Sequence, residues 1–315
     1  MTTSPDAAPV PGGGASRHRV PAPLLMLGAS LLFATMGACV KFASAQYAAG
    51  EIVLYRSLVG IGVTAFSARA AGVALRTPVP GMHLWRSLSG VTALCLWFYS
   101  IGGLPLATAM TLNAMSSVWM AVFMLGGALI FGAPNRIDGR LVAAVLAGFA
   151  GVALVLQPTM AAEQLWYGLS GLLSGMLAAL AYLQVKALGR AGEPELRVVF
   201  YFSLGGIVAG LAMAPFTGGL HAHSGTGVAL LLAIGVLATA AQLMMTRAYA
   251  IGRTLGNAAL QYLGIAFSSL LGLWLFGDVP TWPAIAGMLL IVGAGLASTL
   301  VSLRGKTEPV HPTDP

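Results

Sequence analysis

The chain has 315 residues but only 16 basic and 9 acidic side chains, so 8% are charged, against about 25% in an ordinary soluble domain. Hydrophobic residues make up 57% and the mean hydropathy is +0.85. So few charges cannot cover a soluble globule, which excludes soluble enzymes, nucleic-acid binders and disordered scaffolds and marks an integral membrane protein.

Residues 1–21 are rich in Pro, Gly and Ala and are expected to form a disordered cytoplasmic tail. The apolar run from Pro23 to Val40 lacks a strong cleavage pattern. It reads as a retained first span, anchored by Arg17, His18 and Arg19, and not as a secretory signal. A spanning helix needs about 20 mostly apolar residues. Cutting at charges, prolines and polar clusters predicts ten spans, near 22–43, 50–69, 84–102, 107–131, 139–157, 166–187, 197–216, 226–247, 255–276 and 281–303. The tail 304–315 is then cytoplasmic.

With the N-terminus inside, 14 of the 16 cations fall in cytoplasmic segments, Arg86 among them. The opposite loops, near 44–49, 103–106, 158–165, 217–225 and 277–280, contain no Lys or Arg. This segregation follows the positive-inside rule and puts both termini in the cytoplasm. The net charge of +7 is therefore a topology signal and not a nucleic-acid surface.

The two halves echo each other. Ile130-Phe131-Gly132-Ala133 matches Leu275-Phe276-Gly277-Asp278 at an offset of 145, and Gly148 matches Gly293 at the same offset. This divides the chain into repeats at 22–158 and 166–303, five spans each. An odd number of spans per repeat inverts the second half relative to the first. Gly171-x-x-x-Gly175 and Gly206-x-x-x-Gly210 are expected to let helices approach closely. Cys39 and Cys95 lie in apolar runs as small core residues.

The stretches LWFYSIGGLPLATAMTLNAMSSVWMAVF (96–123) and AQLMMTRAYAIGRTLGNAALQYLGIAFSSLLGLWLFGD (241–278) resemble the third-to-fourth and eighth-to-ninth span junctions of EamA-type transporters. These are ten-helix members of the drug/metabolite transporter superfamily. The resemblance covers about residues 22–303. It implies an all-α fold of two inverted five-helix repeats, with the fifth and tenth spans peripheral. Two departures stand out. The acid that the family usually carries at this site is Ala133 in the first copy and Asp278 in the second, and a Pro of the fourth span is replaced by Met115-Ser116-Ser117. The subgroup with LPLATA and TLN is similar to uptake proteins for S-adenosylmethionine-like metabolites.

Polar side chains at membrane depth are costly and mark candidate function. Lys41 and Arg56 are the two cations that the topology does not place in cytoplasmic loops, and Glu51 lies between them. Lys41 and Glu51 are expected to serve as an outer gate or coupling site and Arg56 to belong to the substrate cavity, the cluster holding a carboxylate-bearing substrate. The alternative is that Lys41 snorkels to the interface while Arg56 pairs with Glu51. Trp97, Tyr99, Asn113, Tyr182 and Gln184 form one candidate cavity set, and Gln242, Asn257, Gln261 and Tyr262 a second. Trp119, Trp274 and Trp282 read as packing or interfacial residues. His221 and His223 read as solvated loop residues rather than metal ligands.

The leading function is secondary transport of a small, amino-acid-like metabolite across the inner membrane by alternating access, with a zwitterionic or cationic substrate expected. No GxxxxGK[ST] loop offers direct ATP drive. Coupling through Glu51, exchange and facilitation stay open. A structural or regulatory subunit is the alternative, and an intramembrane enzyme ranks last because no nucleophile–base pair or metal set lies at membrane depth. No cofactor or metal is expected. The partners are the substrate and the bilayer, with a homodimer left open and nucleic acid excluded.

Overall fold

The computed structural model describes residues 20–130, 139–155, 162–216, 219–252, 257 and 260–304. Most of both expected tails, the Phe131-Gly132-Ala133 part of the repeat motif, and Arg17, Arg19, Arg136, Arg253 and Lys306 lie outside the described residues.

Among the described residues there are eleven α-helices and no strand. In chain order they are α1 (Ala22–Ala43), α2 (Ala49–Ala70), α3 (Pro80–Gly103), α4 (Leu106–Ala114), α5 (Ser116–Ile130) and α6 (Gly139–Val155). There follow α7 (Ala162–Arg190), α8 (Glu195–Met213), α9 (Gly225–Ile251), α10 (Leu263–Phe276) and α11 (Trp282–Arg304). Six apolar segments, 22–43, 49–70, 106–123, 164–190, 195–216 and 225–251, are long enough to cross a bilayer. Helix α10 and the first part of α11 are shorter apolar helices.

Proline and glycine set many of the boundaries. Pro21, Pro105 and Pro194 stand at N-caps, and Pro80 opens α3. The missing N–H costs nothing in a first turn. Helices α2 and α7 end in left-handed glycines, Gly72 (φ 66°) and Gly192 (φ 79°). The next amides, of Val73 and Glu193, fold back onto the carbonyls of Ala68 and Leu188, which is a Schellman cap. The cap at Gly192 turns Glu193 back over the bundle.

The apolar segment 106–130 is not one uninterrupted helix. Met115 (φ −55°, ψ −13°) separates α4 from α5. Its amide is shared between the carbonyls of Thr111 (3.2 Å) and Leu112 (3.3 Å). Tyr262 (φ −63°, ψ −20°) occupies a similar turn just before α10. Residues 106–130 contain no proline, so the interruption at Met115 does not depend on one.

The most extensive helix contacts are α3 on α7, α6 on α11, α1 on α9 and α2 on α8. The α2–α8 contact is reciprocal. A methyl added at Gly60 would meet the Ser203 hydroxyl, and one added at Gly206 would meet the Ser57 hydroxyl. Ser57 and Ser203 are 146 residues apart, as are Gly60 and Gly206. Gly175 lets α7 approach the chain at the α4 break, where an added Cβ would lie 2.7 Å from the Leu112 carbonyl oxygen. The GxxxG glycines thus serve helix packing.

Contacts also sort the helix ends. The C-termini of α1, α3 and α10, the N-terminus of α2 and residues 219–224 meet at one end of the bundle. At the other end the α2–α3 connection, the α7–α8 connection and the N-terminus of α8 meet.

Candidate functional site

A cavity of about 90 Å³ lies among α1, α3, α4, α7, α8, α9 and α10. Its walls include Met110, Asn113 and Ala114 just before the Met115 break, and Gln261, Gly264 and Ile265 around the Tyr262 turn. Trp97 and Phe33 supply aromatic wall, their rings edge-on at 6.3 Å. Tyr182 and Gln242 complete the polar lining that the sequence points to. Tyr182 stacks on Tyr249 at 5.5 Å, and Gln261 Nε2 donates to the Tyr249 hydroxyl at 3.1 Å. Asn113 Nδ2 donates to Ser174 Oγ at 3.0 Å, which ties α4 to α7.

The cavity also contains a cation that the topology reading assigned to a cytoplasmic segment. Arg86 is 2% exposed and lines the wall. Helix α3 begins at Pro80 rather than near residue 84, so Arg86 sits well inside it. Gly90, one turn later, makes the space: a Cβ there would collide with the Arg86 guanidinium. Arg56 of α2 is 3% exposed, and its Nη2 donates to Gln242 Oε1 at 3.0 Å.

Both guanidiniums address the ring of Phe202 on α8, Arg86 at 4.2 Å and Arg56 at 5.2 Å from its centroid. Such cation–π contacts are worth about 0.5–2 kcal/mol each. An unpaired buried charge costs several kcal/mol, so the ring offsets only part of it. Among the described residues no carboxylate pairs with either arginine. Arg56 Nε and Nη1, Arg86 Nε and Trp97 Nε1 are buried donors without partners. The site is therefore rich in donors and positive charge. Among the described residues, no three His, Cys, Asp or Glu side chains are placed to hold a metal.

Five candidates lie off the cavity wall, Arg56 among them. Tyr99 is 43% exposed and stacks on Tyr167 at 4.5 Å. Gln184 accepts a hydrogen bond from Ser89 Oγ at 3.0 Å. Asn257 Nδ2 donates to the Ala248 carbonyl at 2.5 Å and satisfies the last turn of α9. Tyr262 is buried at the turn itself.

Lys41, Glu51 and Arg56 do not form one cluster. Arg56 follows Glu51 by five residues on α2, which rotates it about 140° around the helix. The alternative pairing between them is not made. The Lys41 ammonium instead bonds Asp278 at 2.8 Å and the Leu104 carbonyl at 3.2 Å. Asp278 follows left-handed Gly277 and also accepts from the Leu106 amide at 3.0 Å. One ion pair thus ties α1, the start of α4 and the end of α10.

Glu51 is 1% exposed and accepts from the His221 amide at 3.1 Å. Its other oxygen meets His221 Nδ1 at 2.8 Å, and His223 lies 3.9 Å away. The two histidines, expected to be solvated loop residues, are therefore engaged with a buried acid. At the opposite end Glu193 meets His83 Nε2 at 2.8 Å and Arg197 Nη1 at 3.0 Å. Trp274 and Trp282 are more than four-fifths exposed, as interfacial residues would be, whereas Trp119 packs against Phe123 and Phe149.

No family model matches the chain. A crystal structure of a protein 20% identical in sequence superposes with a TM-score of 0.65 over 91% of this chain and 99% of that one, so the fold is shared. The riboflavin transporter of Rhizobium johnstonii is 29% identical over 78% of each chain. An uncharacterized transporter of Helicobacter pylori is 26% identical over 91% of this chain and 97% of that protein. The pseudopaline exporter CntI of Pseudomonas aeruginosa is 35% identical over 87% of this chain and 94% of the exporter. At that identity and coverage the chain is a multi-pass membrane protein and not an enzyme, and it belongs to the transporter family of the pseudopaline exporter CntI.

Proposed function

We propose that the chain is an EamA-type member of the drug/metabolite transporter superfamily, with ten spans in two inverted five-helix repeats. In this reading it moves a small, amino-acid-like metabolite across the inner membrane by alternating access, and both termini are cytoplasmic. The spans are α1, α2, α3, α4 with α5, α6, α7, α8, α9, α10 with the residues before it, and α11.

The carrying observation is the symmetry of the packing around the cavity. Exchanging each span for its counterpart five places on turns α1 on α9 into α7 on α3. The same exchange returns α2 on α8 and α6 on α11 to themselves. Those are the four most extensive contacts. The reciprocal Ser57–Gly206 and Ser203–Gly60 contacts support a pseudo-two-fold axis passing between α2 and α8. The turns at Met115 and Tyr262 fit the interrupted helices that border transporter binding sites.

The cavity, at about 90 Å³, is well below the roughly 300–1,000 Å³ of ordinary ligand pockets. Substrate entry therefore requires the helices to part. In this reading the end that carries the Lys41–Asp278 and Glu51–His221 pairs is the outer one, and the pairs keep it closed. Opening that end means breaking both.

Locking the outer end tests the reading. Cys39 and Cys95 are first replaced by Ala, and Lys41→Cys and Asp278→Cys are then joined by a bis-maleimide in proteoliposomes. Uptake is expected to stop on cross-linking while the unlinked protein stays active. Full flux through the linked protein contradicts alternating access at this end.

A further inference from the structure

We propose that the arginine pair beside the cavity is a dicarboxylate-binding site, so that the transported metabolite carries two carboxylates. This deepens the transporter reading above and rests on it for the word "transported", though not for the binding. The argument is one of charge and donors. Arg56 and Arg86 come from different helices, α2 and α3, yet both lie against the same Phe202 ring. Each is at most 3% exposed. No acid among the described residues pairs with either. The buried acids nearest in sequence are committed elsewhere, Glu51 to His221 and Glu193 to His83 and Arg197.

Among the described residues no acid neutralises either charge. Structural arginines at the bundle ends find acceptors: Arg197 bonds Glu193 and the Ala74 carbonyl. Arg86 Nε finds no partner among the described residues, and Gly90 clears the volume that its guanidinium occupies. Two planar forks suit two carboxylates, which such forks bind bidentately. Gln242 fixes the orientation of Arg56 through its 3.0 Å bond and leaves Nε and Nη1 unpartnered. Trp97 supplies a further unpartnered N–H on the wall. The apolar faces of Trp97 and Phe33 accommodate the carbon chain between the two acid groups. A cationic substrate, sulfonium compounds included, meets repulsion here.

The test is ligand-induced thermal stabilisation of the purified full chain in detergent. The probes are malonate, succinate and glutarate, together with monomethyl glutarate, pentane-1,5-diamine, and inorganic phosphate at matched ionic strength. At least one dicarboxylate is expected to stabilise the protein. Loss of one charged contact should weaken binding about tenfold or more, both for the monoester and for Arg56→Gln and Arg86→Gln. Arg86→Lys should retain part of the affinity. The diamine should give no shift.

Stabilisation by the diamine alone, by phosphate as strongly as by any dicarboxylate, or by none of the probes overturns the proposal. Unchanged dicarboxylate binding in both Gln variants does so as well. If a Gln variant does not fold, the wild-type comparison of diacid, monoester and diamine decides alone. Binding without flux in proteoliposomes would overturn the transport reading and leave this site standing. Flux of a cation without dicarboxylate binding would do the reverse.

Discussion

Among the described residues, charges at the two ends of the bundle are paired and the two arginines in its middle meet no acid. At the ends Lys41 meets Asp278, Glu51 meets His221, and Glu193 meets both His83 and Arg197. In the middle Arg56 and Arg86 share an aromatic ring, Arg56 also bonds a glutamine, and among the described residues neither meets an acid. A paired charge holds helices together. An unpaired one raises the energy of the protein until a ligand neutralises it. The ends are thus arranged for conformation and the middle for binding, and substitutions should separate the two.

Glu193→Ala should give the largest loss of stability. It leaves His83 and Arg197 without their acid at a site where the Glu193 side chain is 2% exposed. Breaking a buried pair costs about 3–5 kcal/mol, and the melting temperature in detergent measures it.

Arg86→Met should move stability the other way while abolishing ligand-induced stabilisation. Replacing a buried charge with an apolar side chain is often stabilising by about 1–4 kcal/mol. A less stable Arg86→Met protein would mean that Arg86 serves the fold, and the contrast between ends and middle would fail. Asp278→Asn should cost about 1–3 kcal/mol, less than a fully buried pair, because both partners are nearly a fifth exposed. Ligand affinity in that variant should stay within about twofold of wild type, as a titration would show. Tyr99→Phe should change stability by no more than about 0.5 kcal/mol and leave binding untouched, because Tyr99 is exposed and does not line the cavity.

The helical class, the polar lining residues and the small-residue contacts were legible in the sequence, because hydropathy and spacing report them directly. Trp97, Asn113, Tyr182, Gln242 and Gln261 stand out as polar or aromatic groups in apolar runs, and all five line the cavity. Arg86 escaped because its distance from the start of the span made it a topology cation. The signals that mark it are Pro80, which starts the helix a turn earlier, and Gly90, which opens the space beside it. Phe202 escaped because one phenylalanine among apolar neighbours carries no pattern.

The partners of Lys41 and Glu51 could not be read either. Asp278 is 237 residues from Lys41 and His221 is 170 from Glu51, and only the folded arrangement of helix ends joins them. The α4 break was hidden for a different reason. It needs neither proline nor glycine and arises from one shared amide at Met115.

The most direct measurement is counterflow of labelled glutarate into proteoliposomes loaded with unlabelled glutarate, comparing wild type with Arg86→Gln. Transient accumulation of label by wild type and none by the variant is the predicted result. Equal accumulation by both, or accumulation of labelled pentane-1,5-diamine with none of glutarate, would contradict the account.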